Sequence, residues 1–513
     1  MTENRTPGRV RLAGRNIAFG YVGQAATALM SFVLRTIFIM HLSEQLLGVN
    51  SLYTNILSIL SMAELGIGTA LNFALYKPVA EDDTEKIKSY MQMYRKAYTV
   101  IALVVAGIGL SIAPFLRYLI KDPGSITVSE MTLYYLIFLF NTVSTYFVSY
   151  KYSLCNAQQR NYIQTNINTI TKIVVSLLQV IVIILTENFL LYLLTDMMVQ
   201  LLQKVFVSWY LNRLYPYLCD KKVQPLTKEE SGEVWRKTRA LVLHKVGDVA
   251  RLQTDSLIIS SFIAVAMSGM VDNYNLVINA VTNFVNIIFN SVISSFGNLI
   301  ATETRERQYE LFQVYRFFAS WVYGFAVTGF FVLLTPLIRL WLGDAWVLPG
   351  SAVTLILIDL YFKGDRIVLS NYKTAAGVFE QDKYLALIQG LVNLVLSIWL
   401  VQEIGLAGIY VGTVVSGLIA NVTKPVIIYK VCFDKPCGSY FAEAIRYVGT
   451  VAVLAAGLGF VGNKVMAEVS ILRFLIMVVI ITVVFNGVFF LLYGRTREFR
   501  YLKGVLQQRI RRG

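Results

Sequence analysis

Runs of about twenty apolar residues recur from one end of this 513-residue chain to the other. No other feature constrains the fold as much. About twenty residues of helix cross the hydrocarbon of a bilayer, and in hydrocarbon only a helix or a closed barrel can satisfy its own backbone. Fourteen helical spans are read at about 16–40, 46–72, 97–120, 129–150, 164–186, 189–210, 241–267, 274–299, 317–340, 351–371, 383–402, 405–429, 446–463 and 470–493. A chain that is 56% hydrophobic and only 15% charged does not fit a soluble enzyme or a nucleic-acid-binding domain. The first run is too long for the apolar core of a signal peptide and lacks a small-residue cleavage site, so it is expected to stay as the first span. Cys155, Cys219, Cys432 and Cys437 form no disulfide framework, and Cys432 and Cys437 lack the second pair or the His that a metal site needs. No phosphate-binding glycine loop, nucleophile elbow or metal cluster occurs, so neither an enzyme nor a cofactor is expected.

Charge assigns the sides. The loops that include both ends of the chain carry most of the 46 Lys and Arg. The opposite loops and adjoining span ends hold Arg117, Lys121, Arg339, Lys464 and Arg473. The positive-inside rule then puts both termini in the cytoplasm. The net charge of +15 follows largely from this topology, and no solvated basic domain is long enough to bind nucleic acid. In the longest inner loop Thr227 and Glu230 have capping-box spacing, which predicts a short surface helix. Leu502, Val505, Leu506 and Ile510 share one face of the basic tail, which predicts an amphipathic helix on anionic lipid.

The chain also repeats itself. At an offset of 221 residues, Gly48, Tyr53, Glu85, Gln92, Tyr94 and Arg95 fall on Gly269, Tyr274, Glu306, Gln313, Tyr315 and Arg316. At 222, "PFLRYLIKD" from Pro114 meets "PLIRLWLGD" from Pro336, and Tyr150 and Lys151 meet Tyr372 and Lys373. The matches are polar, ordered and nearly collinear. They map spans 1–6 onto spans 7–12 in the same orientation, as lobes related by a pseudo-two-fold along the membrane normal. The expected fold is an all-α polytopic membrane protein with 14 transmembrane helices. It comprises an N-terminal lobe (1–210), a cytoplasmic linker (211–240), a C-terminal lobe (241–430), two further helices (431–493) and a basic tail (494–513).

Charges within spans need a reason, because each costs roughly 2.5–3.5 kcal/mol at the bilayer centre. In "LHKVGDVARLQTD", His244, Asp248, Arg251 and Asp255 form one helical stripe, with Lys245 beside it. Polar faces recur at Gln24, Ser31 and Arg35; at Gln164, Asn168, Thr171 and Lys172; at Asp196, Gln200 and Lys204; at Asn275, Asn279, Asn283, Asn286 and Asn290; and at Asp359, Lys363, Asp365 and Arg366. One-sided stripes suit a water-filled cavity. Guanidinium and ammonium groups suit an anion, so Arg35, Arg251, Arg366, Lys245 and Lys363 are candidate substrate cations, and Asn279, Asn283 and Asn286 candidate sugar contacts. Glu64, Asp248, Asp255, Asp359 and His244 are the candidates for gating or for proton or sodium coupling. The competing reading is structural pairing, Asp248 with Arg251 and Asp359 with Lys363. Arg35 and Asp255 are candidates for a salt bridge across the lobes. Lys172 and Lys204, nearer the span ends, are expected to snorkel.

The stretch "LGVNSLYTNILSILSMAELGIGTALNFALYKPVAEDDTEKI", Leu47 to Ile87, resembles the polysaccharide-biosynthesis or O-antigen flippases of the Wzx type. Their superfamily also contains the multidrug and toxic-compound extrusion transporters and the lipid II flippase. The likeness extends over the whole chain in span number, lobe repeat and extra C-terminal pair, and "AELGIG" is its most recognisable word. It implies two six-helix lobes opening as a V in a bacterial cytoplasmic membrane. It also implies translocation of an undecaprenyl-pyrophosphate-linked oligosaccharide for lipopolysaccharide or capsule assembly, with a polymerase and glycosyltransferases as partners. Relatives hold the pyrophosphate in a cationic cavity lined by spans 1, 2, 7 and 8, which reaches Arg35 and Arg251 by position. Arg366 rests on helical spacing alone. A cation-coupled drug exporter, a fourteen-span facilitator and a non-transport scaffold of envelope synthesis are the alternatives.

Overall fold

The computed structural model describes residues 6–61, 64, 74–158, 160–220, 223–232, 234–235, 254–378, 380–382 and 384–510. Every regular element among them is helical. Ten helices are long and apolar enough to cross a membrane, and each overlaps one of the fourteen expected spans. The protein is an all-α multi-pass membrane protein. The other four expected spans appear as a helix Glu44–Leu60, as a segment described only from Thr254, as the helix Val265–Thr302, and as two shorter helices, Gly350–Asp365 and Ile367–Ala376. The last pair corrects the expectation of one continuous span at 351–371. The helix breaks at Arg366, where φ is −90° and ψ is 0°.

Contacts divide the chain into Met1–Gly269 and Met270–Gly513. The N-terminal unit contains α1 (Thr6–His41), α2 (Glu44–Leu60), α3 (Thr84–Ile112), α4 (Val128–Ala157), α5 (Asn161–Thr186) and α6 (Phe189–Leu214). Its helices start where side chains replace missing backbone partners: Ser43, Asp83 and Asn188 each accept a backbone N–H of the first turn. Thr127 and Glu130 form a reciprocal capping box. Tyr53, wholly buried, donates to the Met131 carbonyl at 2.9 Å and meets Tyr135 edge-on. The predicted capping box of the linker is present, with Thr227 and Glu230 bonded both ways. Glu230 also pairs with Lys86 of α3 at 2.9 Å. That ammonium, with the Thr227 backbone, holds the Glu230 carboxyl below its usual range.

A short helix, α7 (Thr254–Ile258), runs into a π-turn at Ile259–Ile263 and then into α8 (Val265–Thr302). Residues up to Gly269 belong with the N-terminal unit for a visible reason. The Lys121 N–H donates to the Ser260 carbonyl and the Val265 N–H to the Lys121 carbonyl, both at 3.0 Å. Ser260 Oγ adds a bond to the Leu119 carbonyl. These bonds satisfy backbone groups that the π-turn and its exit would leave bare. The repeat-matched glycines meet in the same place. A Cβ on Gly48 would lie 1.9 Å from the Val265 carbonyl oxygen, and one on Gly269 would lie 3.0 Å from the Gly48 nitrogen. Only hydrogen fits at either position.

The C-terminal unit holds most of α8, then α9 (Arg305–Leu342), α10 (Gly350–Asp365), α11 (Ile367–Ala376), α12 (Leu385–Ile404), α13 (Leu406–Ile428), α14 (Gly438–Val465), α15 (Ile471–Tyr493) and α16 (Arg497–Ile510). Its main core is aromatic, built on Phe289, Phe296, Phe312, Tyr372, Tyr429 and Phe433. α14 and α15 pack on α9 through Val332, Leu458, Met477 and Ile481. α12 and α13 form a close hairpin in which Asn393 donates to Thr413 and Gln389 to the Ser416 carbonyl, so polar groups fully inside the pair are satisfied. The tail is helical as predicted, and Phe499 packs on Trp321 of α9.

Gly48→Ala should destabilise the protein by roughly 1–3 kcal/mol or more, the usual cost of overpacking where backbone must shift. Gly107→Ala, with nothing within 4 Å of the added carbon, should not. Thermal denaturation of both variants in one detergent checks the contrast.

Candidate functional site: a polar cavity in the N-terminal unit

The polar faces of α5 and α6 converge. Residues at i, i+3 and i+4 share one side of a helix, which brings Asn168, Thr171 and Lys172 of α5 opposite Asp196, Gln200 and Gln203 of α6. α2 adds Asn50 and Thr54, and α5 adds Gln179 two turns further along. Together they line a cavity of about 540 Å³. Gln203 donates to Asn168 at 3.2 Å across it.

Its electrostatic centre is Asp196. Asn141 Nδ2 of α4 donates to its carboxylate at 2.9 Å, and Gln200 bonds it as well. Lys204 stands behind Asn141 and donates to the Asn141 carbonyl, to Asn141 Oδ1 and to Ser144 Oγ, each at 2.8 Å. Lys204 is thus buried and does not snorkel, because three oxygens inside the unit take its three protons. Lys172 is exposed and lines the cavity. Lys172 and Lys204 both act on Asp196, so the described part of this cluster holds two cations and one anion. Arg35 of α1 is half-buried and acts electrostatically on Tyr192, a residue of the cavity wall. The site can therefore hydrogen-bond hydroxyls through its amides and attract an anion through Lys172.

The other sequence-selected residues lie in several places. Glu64 is half-buried with the Tyr98 hydroxyl on its carboxyl. Asp255 is half-buried on α7, next to Ser256, which accepts from Asn55 at 2.9 Å. In the C-terminal unit Asp359 and Lys363 form the ion pair of the structural reading, at 2.6 Å. Arg366 is buried at the break between α10 and α11, where its guanidinium donates to the Gly417 carbonyl at 2.9 Å and to Asn421. On α8 Asn279 and Asn283 are exposed, whereas Asn286 accepts from Tyr323 at 2.7 Å. His244, Lys245, Asp248 and Arg251 lie outside the described residues.

A second charged cluster was not anticipated. Arg316 of α9, 1% exposed, donates to Glu443 of α14 at 2.9 Å and to the Tyr440 carbonyl at 2.7 Å. Its guanidinium lies 3.5 Å from the centre of the Tyr440 ring, whose hydroxyl donates to Asp365. Asn50, Thr54, Gln179 and Gln203 were likewise missed. The helical spacing of Gln179 to Lys172 and of Gln203 to Gln200 was the available signal for those two; Asn50 and Thr54 lie on another helix, which spacing does not reach.

No family model and no curated protein matches the sequence. Solved structures do match. The lipid II flippase MurJ in an inward closed conformation superposes with a TM-score of 0.65 at 13% identity, over 92% of this chain and 99% of that one. An inward-facing multidrug resistance MATE transporter of the MOP superfamily gives 0.60 at 14%, over 79% and 95%. The chain has the MOP transporter fold. The Vibrio cholerae MATE transporter VcmN in its bent form gives 0.53 at 15%, over 83% and 98%. The MOP fold is shared by flippases and exporters, so the likeness is one of architecture.

Glu443→Ala should cost roughly 3–5 kcal/mol, because it leaves the Arg316 guanidinium buried without its counter-charge. The double change Arg316→Met with Glu443→Leu should recover most of that loss. Comparing their unfolding midpoints with the parent protein tests both statements.

Proposed function

We propose that this protein flips an undecaprenyl-pyrophosphate-linked oligosaccharide across a bacterial cytoplasmic membrane by alternating access. Both termini lie in the cytoplasm, and the product feeds a polymerase after glycosyltransferases have built the sugar. The step is transport, with no bond made or broken. The observation that carries the reading is the amide-lined cavity with an exposed cation inside a helical unit that should face hydrocarbon. Sugar hydroxyls and a pyrophosphate cannot cross hydrocarbon without hydrogen-bond partners, and Asn50, Asn168, Gln200, Gln203 and Lys172 offer them. In the second unit, the exposed Asn279 and Asn283 give α8 amides of the same chemistry.

Arg35, Lys172, Arg251, Lys245, Lys363 and Arg366 are the cations for the pyrophosphate in this reading, and Asn279, Asn283 and Asn286 hold sugar. Glu64, Asp248, Asp255, Asp359 and His244 serve gating or the coupling of proton or sodium. A flippase is favoured over a drug exporter by the cavity's amides and its exposed cation Lys172, which suit sugar hydroxyls and an anion.

In proteoliposomes carrying a short undecaprenyl-pyrophosphate-linked oligosaccharide, Lys172→Gln and Arg35→Gln should each slow translocation about tenfold or more, the scale of one lost charge-assisted hydrogen bond. Folding, followed by gel filtration, should be unchanged. Normal translocation by both variants, or ethidium export in place of lipid-linked sugar, would remove the proposal.

A further inference from the structure

The repeat makes equivalent positions of the two units comparable, and at one pair of positions their chemistry differs. Arg95 and Lys151 in the N-terminal unit match Arg316 and Lys373 in the C-terminal unit. In the C-terminal unit each cation has an acid of its own. Arg316 takes Glu443, and Lys373 takes Asp382. Glu443 comes from α14, a helix outside the repeat, which fills the space beside Arg316.

In the N-terminal unit the described residues that follow α6 place no carboxylate in an ion pair with Arg95. The chain leaves through a short 3-10 turn, Pro216–Cys219. The space beside Arg95 stays open as a cavity of about 850 Å³ lined by Lys88, Arg95, Tyr150, Lys151, Tyr217 and Cys219. Lys88 faces two acids, Glu85 at 2.7 Å and Asp220, which also lines the cavity, at 2.8 Å. Lys151 is buried yet bonded only to neutral oxygens, Ser208 Oγ and Asn212 Oδ1, both at 2.8 Å. Among the described residues no carboxylate pairs with Arg95 or Lys151, and the two cations repel each other. A buried cation without a counter-charge is costly, and Lys151 is one; Lys88, Arg95 and Lys151 against Glu85 and Asp220 leave one positive charge over.

We propose that this cavity is a binding site for a phosphate monoester group, separate from the polar cavity of α5 and α6. A phosphate monoester carries about −1.5 to −2 charges at neutral pH, enough to offset that surplus. Arg95 supplies a planar fork for its oxygens. Tyr150 and Tyr217 offer hydroxyl donors on the cavity wall. The rim also suits a lipid. Phe147 lines the cavity and is about half exposed, and Val100 and Leu103 continue the apolar surface along α3 from Arg95. The phosphate can therefore arrive on an anionic lipid headgroup or as a free ion, and the two sources are separable.

Cys219, exposed on the cavity wall, is a built-in reporter. The full chain carrying Cys432→Ala and Cys437→Ala is placed in phosphatidylcholine nanodiscs, and Cys219 is alkylated with a neutral maleimide. Phosphatidic acid in the disc, or inorganic phosphate in the buffer, should slow alkylation about tenfold at a level about ten times Kd. Protection by phosphatidic acid alone assigns a lipid headgroup; protection by both assigns phosphate from either source. Arg95→Gln, a change at an exposed position, should abolish protection. Lys77→Gln, an equal change of charge on an exposed residue outside the cavity, should preserve it. Lys151→Gln should act like Arg95→Gln if it folds by gel filtration. Absence of protection by either probe, or protection that survives Arg95→Gln, overturns the proposal.

Discussion

Hydrocarbon offers no hydrogen-bond partner, and the described backbone breaks and buried charges of this chain are arranged around that fact. Helices satisfy their own backbones. Where they break, the neighbours complete them: Lys121 bonds both flanks of the π-turn after α7, and Arg366 reaches across the break between α10 and α11 to the Gly417 carbonyl. Side-chain charges follow the same logic at higher stakes. Lys204, Asp359 and Arg316 are all buried, and each has donors or acceptors placed around it. Lys172, Gln200 and Gln203 face a cavity with room for water.

The internal duplication shows how one helical plan acquired two uses. The matched glycines Gly48 and Gly269 are kept where backbone meets backbone, a constraint of geometry that tolerates no side chain. The matched cations Arg95 and Arg316 are kept as well, but their surroundings have diverged. The appended helix α14 neutralises Arg316 with Glu443 and covers it with Tyr440. Arg95 and Lys151 line a cavity, with no carboxylate paired to either among the described residues. Asn141 and Lys363 are another such pair: the first orders Asp196 and Lys204 as a neutral bridge, the second is itself one half of an ion pair with Asp359.

Much of this was legible in the residues. Apolar run length and the offsets of 221 and 222 residues were enough for an all-helical, duplicated membrane protein with an appended pair. The capping box at Thr227 and the amphipathic tail helix followed from local rules, which depend on neighbours in sequence. The site was only half legible. Helical spacing marked the wet faces of α5 and α6, because periodicity reports which residues share a side. It does not report which sides meet, and so Asn50 and Thr54 of α2 went unnoticed until the cavity brought them to Asn168.

The sequence by itself determined the helical class, the places of most spans and the internal matches, since these depend on apolar length, periodicity and direct residue comparison. Only the tertiary structure decided what each charge does. Lys204 looked able to snorkel and instead spends its protons on Asn141 and Ser144; Arg316 looked like a loop cation and is among the most buried side chains. The reason is physical. The energy of a charge is set by the groups within a few ångströms of it and by the water it has lost, and those groups come from helices distant in the chain.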